Sequence, residues 1–258
     1  MAKVWTDPDG YEFSMARWSR LLNRRLVPWL EVPGGAAWLD VGCGTGALSQ
    51  TLFELAAPGS VTGIDPSEQF VAAARSAVSG GTFEVAPAER LPFADASFDA
   101  AAAALCFHVM PDPAGGAAEM WRVLRPGGVA GATVWPATDG MEGFNRLWEA
   151  ANRLGLPPRS NQSQVGDSKN FAEVFERAGF QEVVVEDLVI ATVYRDFDDY
   201  WTPINAGPGT GRTEAYVAAM NADDRERLRS EMERTLPVEP DGTIHLKARA
   251  LALRARKP

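Results

Sequence analysis

Between residues 36 and 135, short apolar runs alternate with segments of helical periodicity, and this alternation narrows the fold more than any other feature of the chain. AAWLDV (36–41), SVTGID (60–65), 82–86, 97–106 and 128–135 read as strands, with helices at 45–56, 67–78 and 113–124. Parallel neighbours need long crossovers, and helices supply them. The pattern therefore implies an α/β fold with a doubly wound, mostly parallel sheet. A chain of 258 residues, 46% hydrophobic and 23% charged, buries such a core unaided.

Other elements surround this core. Residues 11–27 set Phe13, Trp18, Leu21, Leu22 and Leu26 among Arg17, Arg20, Arg24 and Arg25, an amphipathic helix ending near Pro28. Beyond Trp135 come a helix at 140–153, a polar loop at 156–167, a helix at 169–178 closed by Gly179, and a strand at 181–194. Residues 195–240 read as an insertion with a Gly/Pro-rich turn at 206–211 and a charged helix at 213–235. In TIHLKARALALRA, period-two alternation puts Ile244, Leu246, Ala248, Ala250 and Ala252 on one face of a last strand, with His245 on the polar face. Arg254, Arg256 and Lys257 read as a solvated basic end.

Composition removes several functions. Lys plus Arg number 25 against 34 Asp plus Glu, a net charge of −9 that disfavours nucleic acid and anionic membranes as partners. Two cysteines, Cys43 and Cys106, cannot build a disulfide framework. With two histidines, His108 and His245, zinc or Ser/His/Asp chemistry loses weight, and no metal is expected. MAKVWTDPDG carries no apolar targeting segment and no membrane-spanning run follows, so a cytoplasmic protein is expected. A homodimer is compatible with the sequence.

LDVGCGTGAL, residues 39–48, runs a buried strand through Gly42, Gly44 and Gly46 into a helix. Glycines at alternate positions allow a tight turn and a surface bare of side chains. Gly42-x-Gly44-x-x-Ala47 also satisfies the dinucleotide fingerprint, so a nicotinamide oxidoreductase stands as a rival. Asp40, two residues before the first glycine, argues against it, because a carboxylate there repels a pyrophosphate and accepts an ammonium. The plain structural alternative makes Asp40 a helix-side cap. Asp65, ending the second strand, suits the ribose hydroxyls of either cofactor.

LDVGCGTGAL, VTGIDPSEQF, EVAPAERLPFADASFDAA and WRVLRPGGVAGATVW together resemble, in order and spacing, the motifs of class I S-adenosylmethionine-dependent methyltransferases. The likeness is closest to the small-molecule branch with the ubiquinone and menaquinone biosynthesis enzymes, and it covers about residues 36–135. The resemblance implies a single domain over 1–258 with a Rossmann-like, seven-stranded sheet whose last strand, 244–253, runs antiparallel. Within it, 1–35 would be a helical lid, 36–135 the cofactor core, 136–194 substrate-side helices and the sixth strand, and 195–240 a helical insertion. It further implies that S-adenosyl-L-methionine is held by Asp40, Gly42, Cys43, Gly44, Gly46, Asp65, Pro66, Ala88, Glu89 and Leu105, with Ser67 beside the adenine. Where the family carries Asp-Ala before Glu-x-Leu-Pro-Phe, this chain has Pro87-Ala88, so a carboxylate for the adenine amino group is missing. Losing one charged hydrogen bond costs roughly 1.5–3 kcal/mol of gross affinity. A non-catalytic cofactor-binding protein is therefore a second rival.

Methyl transfer from a sulfonium needs alignment, an apolar wall and in some cases a base. His108, just past the fourth strand, is the candidate base, with a loop-bonding or helix-capping histidine as the structural alternative. Tyr11, Trp18, Trp135, Tyr200 and Trp201 are candidates to wall a small, partly apolar acceptor, although any single aromatic more often packs in a core. The arginines of 17–25 suit either an anionic acceptor or a solvated helix face.

Overall fold

Seven strands form: β1 (Ala37–Val41), β2 (Ser60–Asp65), β3 (Thr82–Val85), β4 (Phe98–Ala104), β5 (Leu124–Val134), β6 (Gln181–Tyr194) and β7 (Ile244–Arg256). The computed structural model describes residues 7–136, 138–157, 165–205 and 212–258, and orders the strands β3-β2-β1-β4-β5-β7-β6. β3, β2, β1, β4 and β5 pair in parallel, whereas β7 lies antiparallel to β5. The sheet expected from the sequence and the resemblance is the one observed. Its helices are α1 (Pro8–Tyr11), α2 (Arg17–Trp29), α3 (Ala47–Leu55), α4 (Glu68–Ala77), α5 (Pro113–Val123), α6 (Glu142–Arg153), α7 (Ser168–Arg177), α8 (Phe197–Ile204), α9 (Arg212–Ala218) and α10 (Ala222–Thr235), with a π-helical turn at Glu12–Ala16.

The chain divides into two compact units. One holds the described parts of Trp18–Pro136, Ser163–Leu188 and Ala250–Pro258, the other those of Met1–Arg17, Ala137–Gln162 and Val189–Arg249. In the first, strand periodicity sorts side chains onto two faces. Leu39, Val41, Ala101 and Ala103 enter one core cluster with Phe107, Met120, Phe171 and Phe175. Trp38, Ala100 and Ala102 enter the other, with Leu26, Leu30 and Leu52. Alanine is a poor strand former. In β4 its small volume compensates, since a strand buried on both faces gains from close helix approach.

In the second unit Arg17 donates to Asp199 Oδ2 at 3.0 Å and lies 4.9 Å from the Tyr194 ring centre. The Tyr200 hydroxyl donates to the Gly143 carbonyl at 2.9 Å.

Several local expectations need correction. The first helix begins at Pro8, passes through the π turn and runs on to Trp29, with Pro28 inside its last turn. The charged helix at 213–235 is two helices, because Asn221 caps α10 by accepting from the Asp224 N–H at 2.8 Å. β5 starts at Leu124, earlier than expected, and its register with β4 shifts between Phe98 and Ala100. The turn at 206–211 and most of the 156–167 loop lie outside the described residues. Arg24 pairs with Glu54, and Arg20 contacts Gln50 at 3.5 Å, so these arginines serve the fold's own surface.

The basic end is not simply solvated. Arg254 pairs with Glu31 and Arg256 with Glu182, the latter at 3.3 Å. Lys257 is buried: its Nζ donates to the Leu124 carbonyl at 2.8 Å and sits 4.0 Å from the Trp121 ring centre. A buried ammonium needs such partners. Lys257→Ala should lower the unfolding free energy by about 1–3 kcal/mol in urea titrations. Lys257→Met, which keeps the apolar stem, should recover only part of that loss; wild-type stability in both would mean the amine is idle.

Candidate functional site

The chain leaves β1 at Val41 and reaches α3 within five residues. Both the Gly42 and Cys43 N–H groups donate to the Ile64 carbonyl of β2 at 2.8 Å, and Gly46 N–H closes the bend onto the Cys43 carbonyl at 2.8 Å. The next amide, on Gly44, donates to Asp65 Oδ2 at 3.1 Å, while the Ser67 N–H reaches Asp65 Oδ1 at 2.9 Å. Asp65 is thereby fixed by two backbone amides, one on each carboxylate oxygen.

Two glycines in this bend do different work. Gly46 has φ +90°, and a Cβ there would sit 2.5 Å from Val78 Cγ2, so the position is closed by the fold. Gly44 has φ +54°, yet the nearest atom to an added Cβ is Phe70 Cδ1 at 3.8 Å. Its bare surface is not demanded by packing. A backbone exposed without need suits close approach by a ligand.

Asp40, on β1 opposite Gly63 and Ala102, is 1% exposed. Its Oδ2 accepts the Ser49 hydroxyl at 2.7 Å. Oδ1 is buried and has no hydrogen-bond partner among the described residues. Burial pushes the Asp40 pKa up to about 7, hydrogen bonds from the Ser49 side chain and backbone act against this, and the charge of Asp65 adds to the rise. The helix-cap alternative is thus half realised. One oxygen anchors α3, and the other is left over.

Cys43 is buried and Cys106 half-buried. Burial first, then the charges of Asp40 and Asp65, push both thiols well above their usual range, so neither is a nucleophile near neutrality.

Past β3, Ala86 N–H donates to the Asp65 carbonyl at 3.1 Å, and Ala88 is buried. Glu89 Oε1 accepts the Asp112 N–H at 3.3 Å, tying this loop to the start of α5. Arg122 of α5 holds the segment from beneath, donating to the carbonyls of Phe93 at 2.7 Å and Leu91 at 3.1 Å. Glu119 clasps the other side, accepting from Leu91 N–H and from Arg122 Nε, both at 2.7 Å.

At the end of β4, Leu105 takes φ +57°, a left-handed conformation costly for leucine. Its N–H donates to the Thr133 carbonyl at 2.9 Å and hydroxyl at 3.1 Å, which holds it there. His108 lies in the following turn, where Val109 and Met110 N–H both donate to the Cys106 carbonyl at 3.0 Å. It is half-buried. The cap of α5 belongs to Asp112, which accepts from Gly115 N–H at 3.0 Å, so His108 is not the capping residue. His245 is exposed on its strand, as expected.

The structure therefore links Gly42, Cys43, Gly44, Gly46 and Asp65 through the bonds of one bend, sets Asp40 on the strand just before it, and leaves Pro66, Ala88, Glu89, Leu105 and His108 on the loops leaving β2, β3 and β4. The wall aromatics separate. Trp18 and Trp135 belong to one unit, Tyr11, Tyr200 and Trp201 to the other. Trp18, Tyr200 and Trp201 are each buried, and Trp201 stacks on Phe197 of its own unit at 6.0 Å. Ser49 escaped the sequence reading. Its signal was a hydroxyl at the third position of a helix whose preceding strand carries a buried acid.

A glycine-rich bend, an unsatisfied buried carboxylate oxygen and a second carboxylate bonded to the bend fit a ligand that joins a cationic amine to an adenosine. They are compatible with an α/β protein that takes an adenosyl cofactor. Residues 39–131 match the methyltransferase domain family. Over 121 residues the chain is 36% identical to a ubiquinone/menaquinone biosynthesis C-methyltransferase of Geobacter sulfurreducens, covering 44% of this chain and 46% of that protein. Over 190 residues it is 29% identical to a demethylmenaquinone methyltransferase of Desulfitobacterium hafniense, covering 64% of this chain and 74% of that one. The chain thus spans under half the length of the first relative. The solved [4+2]-cyclase SpnF shares the fold at TM-score 0.57 and 24% identity, over 94% of this chain and 81% of that one. Residues 39–131 thus carry a methyltransferase domain, and the chain is distantly similar to class I S-adenosylmethionine-dependent methyltransferases of ubiquinone and menaquinone biosynthesis.

The two glycines separate fold from ligand. Gly46→Ala should lower stability by several kcal/mol, since clash adds to left-handed strain. Gly44→Ala should cost only about 1 kcal/mol in denaturant titrations, yet weaken cofactor binding at least tenfold by calorimetry. Equal effects on binding and stability at both positions would remove the distinction.

A raised carboxylate pKa also has a sign. The folded state holds the Asp40 proton more tightly than the unfolded chain, so its contribution is fully present below about pH 4 and is lost as pH rises through about 7. Asp40→Asn should therefore stabilise the ligand-free protein at pH 8 more than at pH 5, measured by thermal unfolding, while weakening cofactor binding.

Proposed function

We propose that this chain transfers the methyl group of S-adenosylmethionine to oxygen, nitrogen or carbon of a small-molecule acceptor. One observation carries the reading. Asp40 keeps a buried, unpartnered oxygen beside a bend whose amides are already committed to β2 and Asp65. A diphosphate at that place would add negative charge to two acids, whereas an ammonium neutralises one. This weighs against the nicotinamide alternative despite the shared glycine spacing.

In this reading Asp40 and the Gly42–Gly44 backbone hold the amino-acid end of the cofactor, and Asp65 accepts from the ribose hydroxyls. Pro66, Ala88, Glu89 and Leu105 flank the adenine. When bound, S-adenosylmethionine supplies an activated methyl group together with its own leaving group. The chain's task is then alignment and exclusion of water. His108 accepts the proton that an oxygen or nitrogen acceptor gives up. Trp135, half-buried just beyond β5, is the wall aromatic carried by the same sheet edge. The net charge of −9 supports a small acceptor over a nucleic acid. Among the described residues no helix is long and apolar enough to cross a membrane.

Calorimetric titration with S-adenosylhomocysteine and with NADH tests the proposal. Binding of the first and not the second is expected, and the reverse would overturn it. Asp65→Ala should weaken S-adenosylhomocysteine binding at least tenfold with the circular dichroism spectrum retained. His108→Ala should lower kcat about 100-fold for an acceptor that must lose a proton, and full turnover would assign the histidine to the loop. Cofactor binding without methylation of any member of a broad acceptor panel would favour a non-catalytic protein.

A further inference from the structure

Ser49 is fully buried on α3, and its hydroxyl reaches across to Asp40 Oδ2 at 2.7 Å. Two residues on, Thr51 behaves differently, returning its hydroxyl to the Ala47 carbonyl of its own helix at 2.9 Å. That back-bond is the usual fate of a helical hydroxyl. Ser49 instead spends its single proton on a strand. The bond fixes one carboxylate oxygen, so rotation of the group is stopped and Oδ1 is the acceptor that remains.

We infer that Ser49 is a positioning residue for the cofactor, gripping Asp40 by Oδ2 so that Oδ1 stays available to the cofactor's amino group. The inference rests on the methyltransferase reading and adds a residue to it. The surroundings of Asp40 leave this task to Ser49. The charged neighbour acting on it is another acid, Asp65 on β2, and the nearby ionisable groups are the thiols of Cys43 on the bend and Cys106 past β4. None supplies positive charge. The Ser49 hydroxyl and N–H are the groups that favour the carboxylate, helped by the positive end of α3.

The experiment measures S-adenosylhomocysteine affinity from pH 5.5 to 9 by calorimetry, alongside the ¹³C titration of Asp40 in ligand-free protein. In the wild type, affinity should rise with pH around a midpoint near 7. Ser49→Ala should move both the affinity midpoint and the Asp40 titration upward by about one pH unit, losing about fivefold in affinity at pH 7 and almost none at pH 9. Ser49→Thr, which keeps the hydroxyl, should retain the wild-type profile. Thr51→Ala should lower stability without moving either midpoint. Unchanged midpoints in Ser49→Ala, with wild-type binding intact, would overturn the inference alone. No S-adenosylhomocysteine binding by the wild type at any pH would overturn the functional reading and this inference with it.

Discussion

One carbonyl, that of Ile64, accepts two successive N–H groups from Gly42 and Cys43, and the geometry of the site follows from that double acceptance. It ends β1 abruptly and turns the chain outward from the sheet edge. The Gly44 amide is left facing Asp65, the next residue after the shared carbonyl. Turning so tightly also brings the start of α3 back over the end of β1, where Ser49 meets Asp40. Side chains on the bend would interfere at Gly46 through Val78, but not at Gly44. The bend is thus partly a folding solution and partly a surface reserved for something else.

That reservation has an energetic counterpart. The carboxyl edge of the sheet carries a buried acid short of one hydrogen bond, a second acid close enough to raise its pKa, and a leucine held at positive φ. Each feature costs stability in the ligand-free state. Such costs gather where binding requires a prearranged environment rather than one that forms on contact. An incoming cation would relieve the largest of them, because it partners the orphaned oxygen and lowers the Asp40 pKa together. An incoming anion would deepen the two electrostatic costs.

The sheet was legible because β1, β2, β4 and β5 are short apolar runs separated by helical periods, and such strands have few alternatives. The glycine bend and Asp65 were legible for a similar reason: a turn that needs positive φ and a carboxylate at a strand end leaves a local signature. What stayed hidden depends on partners distant in sequence. Lys257 reads as a solvated lysine until the carbonyl of Leu124 and the ring of Trp121 are brought to it. Tyr200 reads as a lid aromatic until Gly143 accepts its hydroxyl. Ser49 looks like any helical serine, since nothing local says that its proton crosses to a strand. The break at Asn221 was readable in principle, because an asparagine with Asp223 and Asp224 in the turn after it is a helix start, but the surrounding charge pattern is continuous and masks it.

The same reasoning bears on Pro87, where the resemblance leads one to expect an acid that would reach the adenine amino group. The missing charge removes a favourable contact, but the loop that would have carried it is not left loose. Proline fixes one backbone angle at position 87. Arg122 and Glu119 then pin Leu91 and Phe93 through four hydrogen bonds to backbone and to each other. A loop ordered before the ligand arrives loses little entropy on binding, whereas a flexible loop bearing an acid gains a contact and then gives part of it back in ordering. Under the proposed placement of the adenine, this departure would exchange a directional hydrogen bond for rigidity, weakening discrimination at the adenine amino group more than the affinity for the nucleoside as a whole.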